Sequence, residues 1–225
     1  MKNYSLFIDF DHTITMDDVG NRIYTYFSRG ENEPLVKKWL KREISTHECL
    51  IKEAGLCRGT YDEFIAYVDK FEIDHGFKNL IALCRGEQVP MYILSDGLDF
   101  YINRILSRYD IYDVPVYCNV AQFSGDRMQV LLPYWTAKCA SCGNCKGERI
   151  RKLKRQDDIV IYVGDGLSDL CGTKEADIIF AKDDLASFLQ SESRDFIEYN
   201  DLYMVTDRLK EIFTTAQYKS AGQRG

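Results

Sequence analysis

Asp9 and Asp11 stand two residues apart in Asp9-Phe10-Asp11-His12-Thr13, directly after the apolar run Tyr4-Ser5-Leu6-Phe7-Ile8. A run of that length with polar flanks reads as a short buried strand. Both carboxylates therefore emerge where the strand ends and the chain turns. In open α/β sheets the carboxyl ends of the strands are where ligands bind. Two acids there can divide a reaction. One carboxylate attacks a phosphorus atom as nucleophile, and the other donates and later abstracts a proton. Taken alone, the pair also fits solvated turn aspartates, which loops favour.

Three later segments bear on that choice. Pro90-Met91-Tyr92-Ile93-Leu94 is a second apolar strand, ending in Ser95-Asp96-Gly97. Ile159-Val160-Ile161-Tyr162-Val163 is a third, ending in Gly164-Asp165-Gly166-Leu167-Ser168-Asp169. Between them Lys146-Gly147-Glu148 opens a stretch with helical spacing through Ile150 and Leu153. A hydroxyl, an ammonium and two more carboxylates thus join the first pair, in an order that chance spacing hardly produces. The set resembles the haloacid dehalogenase superfamily of phosphatases, over roughly residues 5 to 185, a normal length for one domain.

The resemblance implies a phosphomonoesterase that works through a covalent aspartyl-phosphate. A phosphate dianion repels an incoming carboxylate, so such a site must supply positive charge. By resemblance Asp9 is the nucleophile and a Mg²⁺ ligand, with the Asp11 carbonyl and the Asp165 side chain completing the protein's share of an octahedral oxygen shell. Lys146 neutralises Asp9 and the phosphoryl group, and Ser95 donates to a phosphoryl oxygen. Asp169 orients Lys146 or a metal-bound water, from outside the metal's direct ligands. Asp11 protonates the leaving alkoxide and then activates water, and Thr13 holds Asp11 and its loop. Dehalogenases of the superfamily lack the second aspartate, so Asp11 favours ester hydrolysis. A phosphoaspartate receiver domain is the rival outside catalysis, but receivers lack an Asp-x-Asp-x-Thr segment.

The expected fold is α/β, a doubly wound and mostly parallel Rossmann-like sheet with a small inserted helical cap and a β-hairpin flap. Residues 1–16 and 75–225 are assigned to the core and 17–74 to the cap. A doubly wound domain of ordinary size leaves about sixty of the 225 residues over. They fall where Ile23, Phe27, Leu35, Trp39, Leu40, Phe64, Ile65 and Val68 recur at helical spacing, with breaks at Arg29-Gly30 and Gly55 to Gly59. A cap there excludes water and selects substrate. Val120 to Leu132, turning at Ser124-Gly125-Asp126, reads as a hairpin; a flap beside the site and a plain edge hairpin are equally consistent with it. Ala176 to Ala181 reads as another core strand, Tyr203 to Phe213 as a helix, and Thr214 to Gly225 as a frayed tail.

Composition narrows the partners. Net charge is −6, with Lys and Arg scattered rather than blocked, so no basic stripe points to nucleic acid. No run approaches the roughly 18 apolar residues of a membrane span. Met1-Lys2-Asn3 leads straight into the first strand without a signal peptide. The expectation is a cytoplasmic enzyme for a small-molecule phosphomonoester; oligomeric state is not legible.

Eight cysteines in such a chain are mostly reduced apolar side chains. Cys49, Cys57, Cys84 and Cys171 are scattered and fit that reading. Cys139, Cys142 and Cys145 recur every third residue in a turn-prone loop, and could bind Zn²⁺ if Cys118 or a histidine supplied a fourth ligand. Free thiols remain the alternative. Cys145 immediately precedes Lys146, so whatever orders this loop also positions that ammonium.

The cysteine-rich approach to Lys146 is similar to the phosphoethanolamine/phosphocholine phosphatases and to the 2-hydroxy-3-keto-5-methylthiopentenyl-1-phosphate phosphatases. Asp11 to Met16 and Ser95 to Phe100 point to the second group more closely. Lys146-Gly147-Glu148 and the Gly164-Asp165-Gly166 turn also resemble phosphoserine phosphatase, which holds its substrate with a cap glutamate and a cap arginine. Asp18 falls at the glutamate position here, and Lys52 is the nearest cation to the other. Asp96 replaces the glycine that usually follows the motif serine, ahead of Gly97. Thr13, Asp18, Lys52, Asp96 and Gly97 are accordingly the candidates for phosphate and substrate contacts. The acid at Asp96 suits a cationic or hydroxylated substrate head better than a carboxylate. Phosphotransfer to another acceptor, and a zinc-dependent interaction surface on a retained fold, are the alternative functions.

Overall fold

Along the first strand, β1 (Asn3–Ile8), Leu6 and Ile8 join the apolar cluster on one side of the sheet and Phe7 the cluster on the other, all three fully buried. A strand's period of two dictates the alternation, and helices on both faces explain why the run is apolar without a break. β5 (Asp158–Gly164) repeats the pattern: Ile161 and Val163 lie with Leu6 and Ile8, Val160 and Tyr162 with Phe7. The computed structural model describes residues 3–139 and 142–222, with side chains through Thr215.

Seven strands form one sheet in the order β4-β3-β2-β1-β5-β6-β7. The others are β2 (Met91–Leu98), β3 (Val116–Ser124), β4 (Arg127–Leu131), β6 (Ile178–Ala181) and β7 (Ile197–Glu198). All neighbours pair in parallel except β3 with β4. That exception is the expected hairpin, turning at Gly125, whose φ of 60° lies in the left-handed region that glycine adopts without steric cost. Parallel strands need crossovers, and helices supply them. They are α5 (Phe77–Gly86), α6 (Asp99–Arg108), α7 (Lys146–Leu153), the short α8 (Leu170–Thr173) and α9 (Asp183–Ser191). The fold is the expected doubly wound, Rossmann-like α/β sheet.

Four helices lie between β1 and α5: α1 (Val19–Phe27), α2 (Glu33–Leu40), α3 (Thr46–Leu56) and α4 (Tyr61–Val68). Their starts are set locally. Asp18 accepts the Asn21 N–H at the head of α1, Ser45 that of Glu48 in α3, and Thr60 with Glu63 forms a reciprocal cap on α4. Arg29 and Gly30, at φ of 55° and 82°, end α1 at the anticipated break. The chain leaves and re-enters the sheet region side by side, with Thr15 bridged to Ile73 and the Ile14 carbonyl accepting the Asp74 N–H at 2.7 Å. A second tie joins the Gly59 N–H to the Asp126 carbonyl on the hairpin turn. Between the ties Phe64 stacks on Phe27 and meets Phe100 of α6 and Phe123 of β3 edge-on.

Two local expectations change. Ser95-Asp96-Gly97 does not follow β2 but lies within it. The register steps from Leu94 opposite Tyr117 to Leu98 opposite Asn119, four residues on β2 against two on β3. Such an irregularity re-aims side chains at a site. The C-terminal tail is not frayed from Thr214 either: α10 runs Leu202–Gly222. Thr214 and Thr215 hydroxyls return to the Lys210 and Glu211 carbonyls within it. Thr214 and Thr215 are exposed, so they extend no apolar stripe that periodicity could detect. Among the described residues no helix is long and apolar enough to cross a membrane.

Candidate active site

The carboxyl ends of β1, β2 and β5 meet at one end of the sheet, and the side chains singled out by their chemistry meet with them. The Asp9 N–H continues the ladder onto the Val163 carbonyl, which anchors the residue at the strand's end. The chain then winds tightly. Phe10 O accepts the N–H groups of Thr13, Ile14 and Thr15, and His12 takes a left-handed φ of 55°. This turn places Asp9 and Asp11 toward a cavity of about 550 Å³, whose walls also include Asp18, Ser95, Asp96, Gly97 and Asp165.

Lys146 is the buried cation of the site. It is the first residue of α7, has no exposed surface, and lies 2.8 Å from Asp9 Oδ1 and 2.5 Å from Asp169 Oδ1. Burial disfavours its charge, but Asp169 and Asp9, then Asp96, outweigh it and push its pKa up. The flanking carboxylates thus favour the ammonium form of Lys146. Asp169 is equally buried. Its Oδ1 also accepts the Tyr162 hydroxyl at 2.5 Å, and its Oδ2 the N–H groups of Asp165 and Gly166, both at 3.1 Å. Asp169 thus contacts Lys146 directly, which is one of the two roles expected for it.

Asp9 is nearly buried, and burial followed by repulsion from Asp169 raises its pKa, with Lys146 opposing. Asp11 is held otherwise. Its Oδ1 accepts the Gly20 N–H at 3.0 Å, and its Oδ2 the Tyr101 hydroxyl at 2.6 Å and the Ser95 hydroxyl at 3.4 Å. Burial, then the charge of Asp18, lifts its pKa to about 7. Two carboxylates two residues apart thus have different partners, one an ammonium and the other hydroxyls, a division typical of nucleophile and acid–base pairs. Gly97 makes that arrangement sterically possible, since a Cβ there would overlap the Tyr101 hydroxyl.

The structure separates other candidates. Thr13 does not line the cavity or touch Asp11; its hydroxyl donates to Asp165 Oδ1 at 2.8 Å and meets the Tyr199 hydroxyl, so it steadies a different carboxylate. Lys52 is absent from the cavity wall because its ammonium pairs with Glu48 one turn back at 2.6 Å, in solvent. Asp18 lies in the wall while capping α1. Asp96 also lines it, but its carboxylate accepts the Asn144 N–H, and burial lifts its pKa to about 6. The negative charge anticipated at the mouth is thus partly spent on holding the loop before Lys146.

Cys118, buried on β3, is outside the group that the loop cysteines form. The sulfurs of Cys139, Cys142 and Cys145 instead gather with that of Cys171, all within 4.8 Å of one another. Ala140 and Ser141, between the first two, lie outside the described residues.

A hard divalent cation fits the acidic end of the cavity. Oxygens of Asp9, Asp165 and Asp169 lie within 4.8 Å of one another, and the repulsion that lifts Asp9 is what a bound cation relieves. His12 adds a contact to Asp165 at 3.4 Å and to Asp183 at 3.6 Å. Tyr101, Tyr162, Tyr199 and His12 are the site residues that sequence reasoning missed. Only His12, inside the first motif, carried a positional signal.

Residues 4–199 match the family described as Putative Phosphatase. The chain belongs to that family. It is a phosphatase of the haloacid dehalogenase superfamily, and similarity to curated relatives runs nearly end to end. It is 33% identical to a 2-hydroxy-3-keto-5-methylthiopentenyl-1-phosphate phosphatase of Brevibacillus brevis, over 93% of this chain and 98% of the relative. It is 32% identical to the protein of the same name from Bacillus pumilus, over 94% of each. Among solved structures the phosphatase fold is shared with a phospho-aspartyl intermediate analogue of phosphoserine phosphatase, at a TM-score of 0.71 and 18% identity, over 92% of this chain and 99% of that one. A phosphoserine phosphatase from T. onnurineus aligns at 0.69 and 20% identity, over 93% and 95%.

Proposed function

We propose that this phosphatase hydrolyses a small phosphomonoester through an aspartyl-phosphate on Asp9, with Mg²⁺ as cofactor. One observation carries the reading: Asp9 is neutralised by the buried Lys146 at 2.8 Å, while Asp11, across the same cavity, has its pKa lifted to about 7. Asp9 attacks phosphorus, the ester P–O bond breaks, and protonated Asp11 gives its proton to the departing oxygen. Water then gives a proton to Asp11 and attacks phosphorus, the aspartyl P–O bond breaks, and phosphate leaves with Asp9 restored. A pKa near neutrality leaves both forms of Asp11 accessible for these opposite transfers. Mg²⁺, held by Asp9, the Asp11 carbonyl and Asp165, would offset the negative charge of the phosphoryl group. Lys146 and the Ser95 hydroxyl would do the same from the protein side.

Helices α1 to α4 act as the cap in this reading. They bring Val36, Trp39, Leu40 and Leu50 over the acidic floor, and no Lys or Arg is among the described residues of the cavity wall. A substrate carboxylate has no cation to meet there, which disfavours phosphoserine. A substrate that is uncharged apart from its phosphate and has an apolar end matches the wall better. 2-Hydroxy-3-keto-5-methylthiopentenyl-1-phosphate, in the names of the relatives, has that character. A second reading rests on Tyr24, Trp39, Asp18 and Glu53 in the same wall, which suit an ammonium head such as phosphocholine or phosphoethanolamine.

Phosphate release from a panel of these esters, with Mg²⁺ and with chelator, tests the function. Mg²⁺-dependent release that prefers 2-hydroxy-3-keto-5-methylthiopentenyl-1-phosphate at least about tenfold in kcat/KM, roughly 1.4 kcal/mol of discrimination, supports the reading. Preference for phosphoserine overturns the substrate class. Absence of release with transfer to an added alcohol overturns hydrolysis.

Tyr101 should tune the acid. Its hydroxyl stabilises the Asp11 carboxylate and so lowers the Asp11 pKa. Tyr101→Phe removes that donor, the pKa rises, and Asp11 stays protonated to higher pH. The alkaline limb of kcat/KM is expected to move up by about one pH unit, the scale of one hydrogen bond to a charged group. An unmoved or downward-moved limb would contradict Asp11 as the proton donor.

A further inference from the structure

The loop before Lys146 brings three thiols up to a fourth, that of Cys171, and the hydrolytic chemistry uses none of them. Cys142 Sγ lies 3.0 Å from Cys139 Sγ and 3.3 Å from Cys171 Sγ, and Cys139 to Cys171 is 3.7 Å. Cys145 completes a group in which every pair is within 4.8 Å. These are not disulfides, since all four are free and a bonded pair lies about 2.05 Å apart. Four sulfurs bound tetrahedrally to zinc at about 2.3 Å stand about 3.8 Å from one another, within the range found here. Cys142 and Cys145 are buried and the other two half-buried, as in a closed structural site rather than an open catalytic one.

We propose that Cys139, Cys142, Cys145 and Cys171 bind one structural zinc ion that joins the helix bearing Lys146 to the segment bearing Asp165 and Asp169. The fourth ligand is 32 residues from the first and comes from α8. Cys145 is the N-cap of α7, next to Lys146, and Cys171 follows Asp169 by two residues. The metal therefore closes a loop around the Lys146–Asp169 ion pair. Gly147 allows the close approach, since a Cβ there would meet the Cys171 carbonyl.

The loop is also tied to β2. Asn144, with no exposed surface, donates through Nδ2 to the Ser95 and Tyr117 carbonyls at 3.0 and 2.7 Å. Zinc would thereby brace the phosphate-facing end of β2 as well as α7. This inference does not depend on the phosphatase reading, because its test reads metal rather than turnover.

Protein purified under reducing conditions and washed with a mild chelator is assayed for zinc by elemental analysis, and its thiols are titrated with a mercurial while released metal is recorded. The expected result is one zinc per chain, released as the mercurial reacts. Cys171→Ser should lose the ion and Cys118→Ser should keep it. Should Cys171→Ser fail to fold, wild-type protein reconstituted with Co²⁺ supplies the second measurement. Sulfur-to-cobalt charge-transfer bands with strong tetrahedral d–d absorption are then expected. Zinc-free protein from zinc-supplemented cells, a Cys139–Cys142 disulfide in place of metal, or zinc retained by Cys171→Ser and lost by Cys118→Ser would each overturn the proposal.

Discussion

Asp9→Asn lowers phosphate release by on the order of 10⁴-fold or more, while the protein stays folded with an unchanged or raised melting temperature. The amide has nearly the volume of the carboxylate but is a poor nucleophile toward phosphorus. Stability is spared for a reason specific to this site. Asp9 is buried beside Asp169 and Asp165, and burial with that repulsion makes its charge unfavourable. Lys146 keeps Asp169 at 2.5 Å after the change, so no buried charge is orphaned. Paired assays of phosphate release and thermal unfolding check both halves. Turnover at the wild-type rate would remove the covalent mechanism, and collapse of the fold would mean that Asp9 is needed for structure.

Lys146→Met has the opposite signature: activity and stability fall together. Removing the ammonium leaves Asp9 and Asp169 facing each other in a buried space, and breaking a buried pair by deleting one partner costs about 3–5 kcal/mol. The double variant Lys146→Met/Asp169→Asn separates the two losses. With Asp169 neutral, the remaining amide still accepts the Asp165 and Gly166 N–H groups, so more than half of the lost stability should return. Activity should not, because the transferring phosphoryl group still lacks its ammonium. Denaturant unfolding of the two singles and the double forms the cycle that isolates the coupling. A single variant as stable as wild type, or a double variant with restored turnover, contradicts this account of Lys146.

The carboxylates and the lysine were legible because each follows an apolar run or opens a helix, and because types such as Asp-x-Asp at a strand end have few other uses. Their supports were not. Tyr101 and Tyr162 sit in regular α6 and β5, where an aromatic reads as core, and their hydroxyl contacts to Asp11 and Asp169 depend on packing across 90 residues in one case. Cys171 reads as one more scattered cysteine because its partners lie about thirty residues upstream, beyond any local spacing rule. Thr13 shows a related failure: position in a motif did not reveal that its hydroxyl turns to Asp165 instead of Asp11. Lys52 is the nearest cation in sequence, yet Glu48 one helical turn away pairs with it. The end of β2 was misjudged because Ser95-Asp96-Gly97 has turn chemistry, whereas the pairing of Leu98 with Asn119 carries the strand on past it.

The measurement that tests the central claim most directly is to identify the residue that carries phosphorus. Asp11→Asn slows breakdown of the phospho-enzyme but still allows attack on p-nitrophenyl phosphate, whose phenolate leaves without a proton. That protein, mixed with Mg²⁺ and the ester, is quenched in acid and its peptides are analysed by mass spectrometry. One phosphoryl group on Asp9 is the expected result, absent when Asp9 is Asn. Release of p-nitrophenolate with Asp9 unmodified, or a phosphoryl group on any other residue, would contradict the account.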